Sequence, residues 1–443
     1  MQKRSDDKWY YSFLPFNVSG GSTSPLIPLF VTEGLRGTLA DVGMVSALSS
    51  AASVPGSILW GNLSDTTKQR KLFVLLGFGG LGLALFMMGI STSIASYFFA
   101  NFLLGLLSTA AAPIGTVLIL EVYKREEWAA RLADFSRVGG IGWVTGLALG
   151  SIWLIVMSGA SSVTPMRALF ILAGTLSALS ILLAMKWIPE PESKVERRSV
   201  DLHLLDFPLI MYEKARYMPN RILHVLSLSA TNISINNFPL RLRKYYVVVF
   251  LIFAGALCFY VALPIYLKSY VGISSGEVFL IYVASSAAST LSYRYSGSLV
   301  GRRGGKSVQK TSILARILLF PTFFLVTLLP LNQLGLVLAF LLLHAMVGIA
   351  WAGLSVAGSA LVSNLCHKEF RAEGMGMYNA TQGLAAIAGS IIGGFSAQLM
   401  GYLVTFLLAS GMLLVAFLLL SFIDVETSPD EKAPKGNGTP AKV

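Results

Sequence analysis

The chain has 443 residues, of which 54% are hydrophobic and only 13% charged, and its mean hydropathy is +0.68. Soluble domains carry about 25% charged residues, so this composition excludes a water-exposed globular surface. The net charge of +12 is a formal invitation to nucleic acid, but its distribution along the chain points elsewhere.

Apolar runs long enough to cross a ~30 Å hydrocarbon core as helix recur along almost the whole length. They are continuous rather than alternating, which selects helices over a barrel. In chain order the spans are expected at 9–33, 39–63, 71–92, 94–123, 131–158, 165–188, 245–269, 275–300, 307–329, 333–363, 371–400 and 401–423. The fold class is therefore an all-α polytopic membrane protein with twelve transmembrane helices in two six-helix halves. Residues 1–188 form the first bundle and 245–424 the second. Between them, 189–244 is expected as a cytoplasmic linker, and 425–443, low in apolar residues, as a disordered cytoplasmic tail. Within the linker, "DLHLLDFPLIMY" suits either an interfacial amphipathic helix or a solvated connection.

The first span reads "FNVSGGSTSPLIPLF". Asn17 to Ser24 falls about 12 Å into the helix at 1.5 Å per residue and is polar, glycine-rich and ended by proline. Backbone exposed at such depth is tolerated only against protein or a wet cavity, which makes Asn17, Ser22 and Thr23 candidates for a cavity wall. Small residues packing against a neighbouring helix are the alternative. After the second span comes "GNLSDTTKQRK", Gly61 to Lys71, a charged interruption between two apolar stretches; "GSLVGRRGGK", Gly297 to Lys306, is its weaker echo.

The echo belongs to an internal repeat. A shift of 236 lays Pro28 on Pro264, Asp41-Val42 on Glu277-Val278, Gly61 on Gly297 and Arg70 on Lys306. A shift of 243 then lays Gly105 on Gly348, Gly115 on Gly358, Phe135 on Tyr378, Gly146 on Gly389 and Gly150 on Gly393. Six spans repeated in one orientation imply two halves about an axis along the membrane normal, with a site between them. The same shift sets Asn101 of the fourth span over His344 of the tenth, both well inside their helices, so two polar groups are expected to face each other across that axis. A histidine at this depth is costly unless it meets water or a partner. Tyr260, Asn379 and Gln382 complete the candidate cavity set.

Of the 34 Lys and Arg, 28 cluster at the termini, the even-to-odd loops and the linker, while Arg36, Arg167 and Lys268 lie on the other side. By the positive-inside rule both termini are expected in the cytoplasm, and the cell membrane is the expected location. Arg137, Arg294 and Arg316 fall within spans; the first two suit interface anchoring, and Arg316 suits snorkelling or pairing. Cys258 and Cys366 are expected on opposite sides, which gives no disulfide framework. The four histidines, His203, His224, His344 and His367, are scattered, so neither a metal site nor any cofactor is expected. Met1 to Lys8 runs straight into a span with three prolines, unlike a cleavable signal peptide.

Taken with the repeat, the second-to-third-span stretch resembles the signature of the major facilitator superfamily, Gly-x-Leu-Ala-Asp-Arg-x-Gly-Arg-Arg or Lys. Gly61, Leu63, Asp65, Arg70 and Lys71 fit; Ser64 stands for Ala, Thr66 for the usual Arg and Lys68 for the usual Gly. The resemblance covers essentially the whole chain. It implies a gate in which Asp65 contacts the start of the eleventh span and works with Glu121 and Arg131, through bonds made only when the cytoplasmic side is shut. Gly61, Arg70 and Arg137 belong to the same expected gate, Gly61 by letting helices pack closely.

Two departures bear on coupling. Proton-coupled exporters of this superfamily place an Arg where Asn101 stands, and their fifth-span Gly-x-x-x-Gly-Pro-x-x-Gly-Gly appears here as "GWVTGLALGS". The expected function is thus transport of a small organic solute by alternating access, import or export, with a proton as an open partner besides the lipid bilayer, and with a monomer expected. The alternatives are a proton-coupled multidrug exporter or, from another class, a non-transporting receptor or membrane-embedded enzyme. No Gly-x-x-x-x-Gly-Lys-Ser/Thr loop is present for ATP, and no nucleic-acid partner is expected.

Overall fold

The computed structural model describes residues 6–67, 69–124, 127–159, 163–189, 238–366 and 370–424. The linker from 190 to 237, including the candidate amphipathic segment, and the tail from 425 lie outside the described residues. The described residues form helices and short connections, with no strand among them.

The first span is two helices, Phe13–Thr23 and Leu26–Glu33, behind a 3-10 turn over Asp6–Ser12. Its break falls at Ser24-Pro25, where proline supplies no backbone N–H and disfavours continuation through the preceding residue. The second span is Leu39–Thr67, the third Arg70–Ile90, and the fourth a broken pair, Ile94–Ser108 and Ala112–Val122. Trp128–Val156 and Val163–Trp187 are the fifth and sixth. The second half comprises Leu240–Ile265 with a π turn at Tyr266–Tyr270, then Ser275–Arg303, Gly305–Leu325, Gln333–Leu365, Arg371–Met400 and Tyr402–Phe422.

Several boundaries differ from expectation by a few residues, and two of these differences are informative. The second span continues to Thr67, so most of the charged stretch beginning at Gly61 is helical and the chain turns only around Gln69. The seventh span starts at Leu240 rather than 245, directly after Pro239 at the N-cap, because "LRLRK" consists of good helix formers.

Among the described residues, ten helices are long and apolar enough to cross a membrane. The interrupted first span and the eighth helix are not among them. The eighth is rich in serine, with Tyr282, Ser285, Ser286, Ser289, Thr290 and Tyr293 at helical spacing along one stripe.

The repeat holds at the level of atoms. At the start of the second span, Asp41 Oδ2 accepts from the Thr38 N–H at 2.7 Å and Thr38 Oγ1 accepts from the Asp41 N–H at 3.2 Å. At the start of the eighth span, Glu277 Oε2 accepts from the Ser274 N–H at 2.9 Å and Ser274 Oγ from the Glu277 N–H at 3.3 Å. These are capping boxes, 236 residues apart. The shifted glycines also meet matching rungs. Gly105 lies against the Ser49 carbonyl and Gly348 against that of Ser285; Gly146 lies against Val18 and Gly389 against Ala254. Each pair of contacts obeys the same two shifts. In lipid, helices associate through such close backbone approach rather than through apolar transfer.

The halves meet along two seams, the second span against the eleventh and the fifth against the eighth. Both seams are tight toward one end only. A Cβ built on Gly43 would sit 2.9 Å from Gly394 Cα, the Leu39 N–H donates to Gln398 Oε1 at 3.0 Å, and Ser151 Oγ donates to the Gly276 carbonyl at 2.7 Å. Toward the other end, built Cβ atoms on Gly61, Gly140, Gly297 and Gly376 meet nothing within 4 Å. Gly61 therefore makes no close helix packing in this conformation, in which the halves splay apart at that end.

Candidate functional site

The splayed halves enclose a hollow of about 920 Å³. That is the size of a site for a drug-like molecule. One wall comes from the fifth span through Ala133, Arg137 and Trp143, together with Ser24 at the break of the first span. The facing wall comes from the polar stripe of the eighth helix, with Tyr260, His344 and Trp351 from the seventh and tenth. The polar stripe of the eighth span thus faces the hollow, which is the physical reason its hydropathy is low, whereas the first span is simply broken into two short helices and reaches the hollow at Ser24.

His344 and Tyr260 lie on the wall as expected. The remaining cavity candidates do not. Asn17 turns its amide back to the Phe13 carbonyl at 2.8 Å and packs beside Gly139 and Gly142 of the fifth span. Ser22 and Thr23 are buried and bond to the Ser19 carbonyl at 3.0 and 2.8 Å. A hydroxyl one turn along can bond back into its own helix instead of facing a cavity, and only Ser24 emerges. Asn101 is buried against the Tyr97 carbonyl at 2.9 Å, so it does not face His344 across the axis. Asn379 is exposed and Gln382 half-buried on the eleventh span, both off the wall.

His344 Nδ1 lies 3.0 Å from the Ile281 carbonyl. A carbonyl only accepts, so the neutral ring is assigned its proton on Nδ1, leaving Nε2 as an acceptor. Nε2 is buried and without a partner among the described residues. The ring packs edge-on to Tyr282 at 4.8 Å and beside Tyr260 at 6.1 Å.

Arg316 of the ninth span departs most from expectation. It neither snorkels nor pairs. It is fully buried, and none of its three guanidinium nitrogens has a hydrogen-bond partner among the described residues. Its guanidinium carbon sits 5.2 Å from the Trp351 ring centroid and 5.9 Å from those of Tyr260 and Phe320. His344 lies within electrostatic reach. Cation–π contact supplies about 2 kcal/mol in a desolvated setting, against several kcal/mol for removing an unpaired charge from water.

At the open end, Arg70 is buried and its guanidinium reaches Glu121 at 2.6 Å and Ser64 Oγ at 2.8 Å. Arg131 pairs with Glu127 at 3.3 Å and lies over the Tyr123 ring at 4.4 Å. All these contacts lie within the first half and exist while the mouth is open. The expectation that Glu121 bonds form only on closure is therefore corrected: Arg70–Glu121 ties the third span to the fourth while the mouth is open. Arg137 stands exposed on the hollow wall. Asp65 lies near the end of the second span, its side chain outside those described.

Sequence reasoning included Ser24 only as the end of the Asn17–Ser24 segment, and it missed Trp143, Trp351 and the whole stripe of the eighth span. The stripe had a readable signal, polar residues at i, i+3, i+4, i+7 and i+8 on an otherwise apolar helix. Among the described residues, no cluster of His, Cys, Asp and Glu could hold a metal.

Two six-helix halves closed around one hollow that opens at a single end define a solute carrier of the alternating-access class. The chain belongs to the Major Facilitator Superfamily, whose family model matches residues 12–343 and again 245–442. It is a multi-pass membrane protein that transports a small solute. No curated protein matches the chain. Among solved structures it is similar to a mutant of the nucleoside transporter NupG, with TM-score 0.70 and 19% identity over 94% of this chain and 98% of that one. The human organic anion transporter MFSD10 (TETRAN) superposes with TM-score 0.58 and 18% identity over 95% and 100%. A bacterial homologue of the human lysosomal transporter Spinster, inward-facing and unoccupied, gives TM-score 0.65 and 13% identity over 94% and 98%. At these identities the likeness is one of fold.

Proposed function

We propose that the chain carries a small organic solute across the cell membrane through the hollow between its halves, with both termini in the cytoplasm, and that the described conformation is inward-facing. The observation that carries this is the one-sided closure of the two seams. Gly43 and Ser151 are locked against the opposite half, while the hollow runs out between Ala133 and Tyr293 at the other end. That open end carries Arg70, Lys71 and the 123–131 connection, which is the basic side and hence the cytoplasmic one by the positive-inside rule. Closing it swings the fifth span toward the eighth and the second toward the eleventh. Asp65 then meets the start of the eleventh span and, with Gly61, Arg131 and Arg137, latches the mouth. The hollow wall holds no carboxylate among the described residues, which favours a cycle without carboxylate-borne proton exchange.

The test introduces Ala133→Cys and Tyr293→Cys on opposite walls. Both native cysteines are buried, so a bifunctional thiol reagent acts on the introduced pair. Proteoliposomes are screened with nucleosides, dipeptides and aromatic carboxylates, with and without a pH gradient. Solute flux should stop on crosslinking and return on cleavage of the reagent, and should not follow the pH gradient. Flux that survives the crosslink overturns alternating access here.

A further inference from the structure

We propose that Arg316, with His344 and the rings of Tyr260 and Trp351, forms a subsite for a single negative charge on the transported solute, and that its ligand is a small aromatic monocarboxylate. The assignment rests on the hollow being the solute site.

The first support is the charge itself. Arg316 begins 11 residues into a helix that starts at Gly305, about 16 Å along at 1.5 Å per residue, which is near mid-membrane. There its guanidinium is enclosed, and its five N–H donors have no acceptor among the described residues. A guanidinium stays protonated in any protein setting, so the charge cannot be shed. Buried charges are ordinarily paired. This one has an aromatic lining and no counter-ion among the described residues.

The second support is where it sits. Tyr260 and Trp351, whose rings lie over the guanidinium, are both on the wall of the hollow. The cation is therefore one ring's thickness behind the solute space, and a turn of the half-buried Tyr260 ring gives a carboxylate access. On the opposite side of the hollow stands Arg137, and no acidic residue lines the wall among those described. An anion entering from the mouth thus meets positive charge at the entrance and again at depth, whereas a cation meets only repulsion.

The geometry also narrows the ligand. One buried guanidinium beside a neutral histidine balances one negative charge, and its planar fork matches a carboxylate bidentately. Trp143, Tyr282 and Trp351 offer flat apolar faces for a ring. His344 Nε2, an unused acceptor, can take a hydrogen bond from a hydroxyl on that solute.

The same chemistry is available to a free inorganic anion, chiefly chloride, so the test separates the two. The full chain is purified, and its tryptophan emission and thermal melting are followed against benzoate, the uncharged benzamide, the cationic benzylamine and chloride at constant ionic strength. Benzoate should change the emission saturably and raise Tm; the other three should do neither. Trp351→Phe should remove most of the emission change. Arg316→Gln should weaken benzoate by about 10- to 100-fold, as expected for losing a charge-assisted pair. Arg316→Met covers the case in which the Gln variant fails to fold: without ligand it should melt above the parent, because an unpaired charge is gone, and benzoate should no longer shift it. Equal responses to benzoate in parent and Arg316 variants overturn the subsite, as does a parent that ignores benzoate. A response to chloride alone makes it an inorganic-anion site and overturns the carboxylate assignment; equal responses to benzamide remove the charge from recognition. Crosslink-sensitive flux of another solute without benzoate binding would sink the subsite and leave transport standing. Benzoate binding without any such flux would do the reverse.

Discussion

Adding one methyl group at Gly43 should tip the protein toward the opposite conformation. A Cβ there would fall 2.9 Å from Gly394 Cα and 3.2 Å from Gly394 N, both backbone atoms that cannot swing aside. The clash exists only while the outer seam is shut. Overpacking of this kind costs typically ~1–3 kcal/mol. The better helix propensity of alanine, up to about 1 kcal/mol, acts in both conformations and cancels. At ~1.4 kcal/mol per factor of ten, the ratio of the described form to its outward-open counterpart should fall by roughly 5- to 150-fold. The assay is the labelling rate of Ala133→Cys by a polar maleimide, which reads access through the open mouth. Gly411→Ala serves as control, since a Cβ at that position meets nothing within 4 Å. Labelling should slow in the Gly43→Ala background and stay unchanged in the Gly411→Ala one. Identical rates in both, with both proteins folded, would falsify the seam as a gate.

Ser151→Ala removes the cross-seam bond to the Gly276 carbonyl and should shift the same labelling rate in the same direction but less, by about 2- to 10-fold for a loss of ~0.5–1.5 kcal/mol. Glu121→Gln leaves the buried Arg70 short of its carboxylate and should lower thermal stability by about 1–3 kcal/mol, and a double-mutant cycle with Arg70→Gln should return a coupling of similar size. A coupling near zero would mean the pair is incidental. Gly105→Leu and Gly348→Leu press on equivalent carbonyls, Ser49 and Ser285, so both should impair folding alike, read as monodisperse yield on size-exclusion chromatography. One tolerated and one ruinous would show that the halves no longer share their packing.

The architecture was legible because glycine spacing and the two capping boxes survive at fixed offsets, and lipid leaves helices as the only economical answer for long apolar runs. The cavity was less legible for a reason particular to hydroxyl and amide side chains. Asn17, Ser22, Thr23 and Asn101 are polar at the right depth, yet each turns a donor back onto a carbonyl three or four residues earlier, which no depth count detects. Arg316 was misread in the opposite sense. Its depth was visible, but snorkelling and pairing are both ruled out only by seeing which rings surround it. The gate gave a mixed outcome: the identity of the Arg70–Glu121 partnership lies in three dimensions, since 51 residues separate them, and its persistence with the mouth open follows from both belonging to one half.

The serine-rich face of the eighth helix has a consequence for biogenesis. Read alone as it leaves the ribosome, Ser275–Arg303 is too weakly apolar to partition into lipid by itself, and Arg294 lies inside it. It must enter together with a neighbour that shields its wet side, and the tenth helix, against which it packs, is made some thirty residues later. Concerted insertion of the second half is the expected outcome, and a chain cut shortly after Arg303 should leave that segment stranded at the membrane surface.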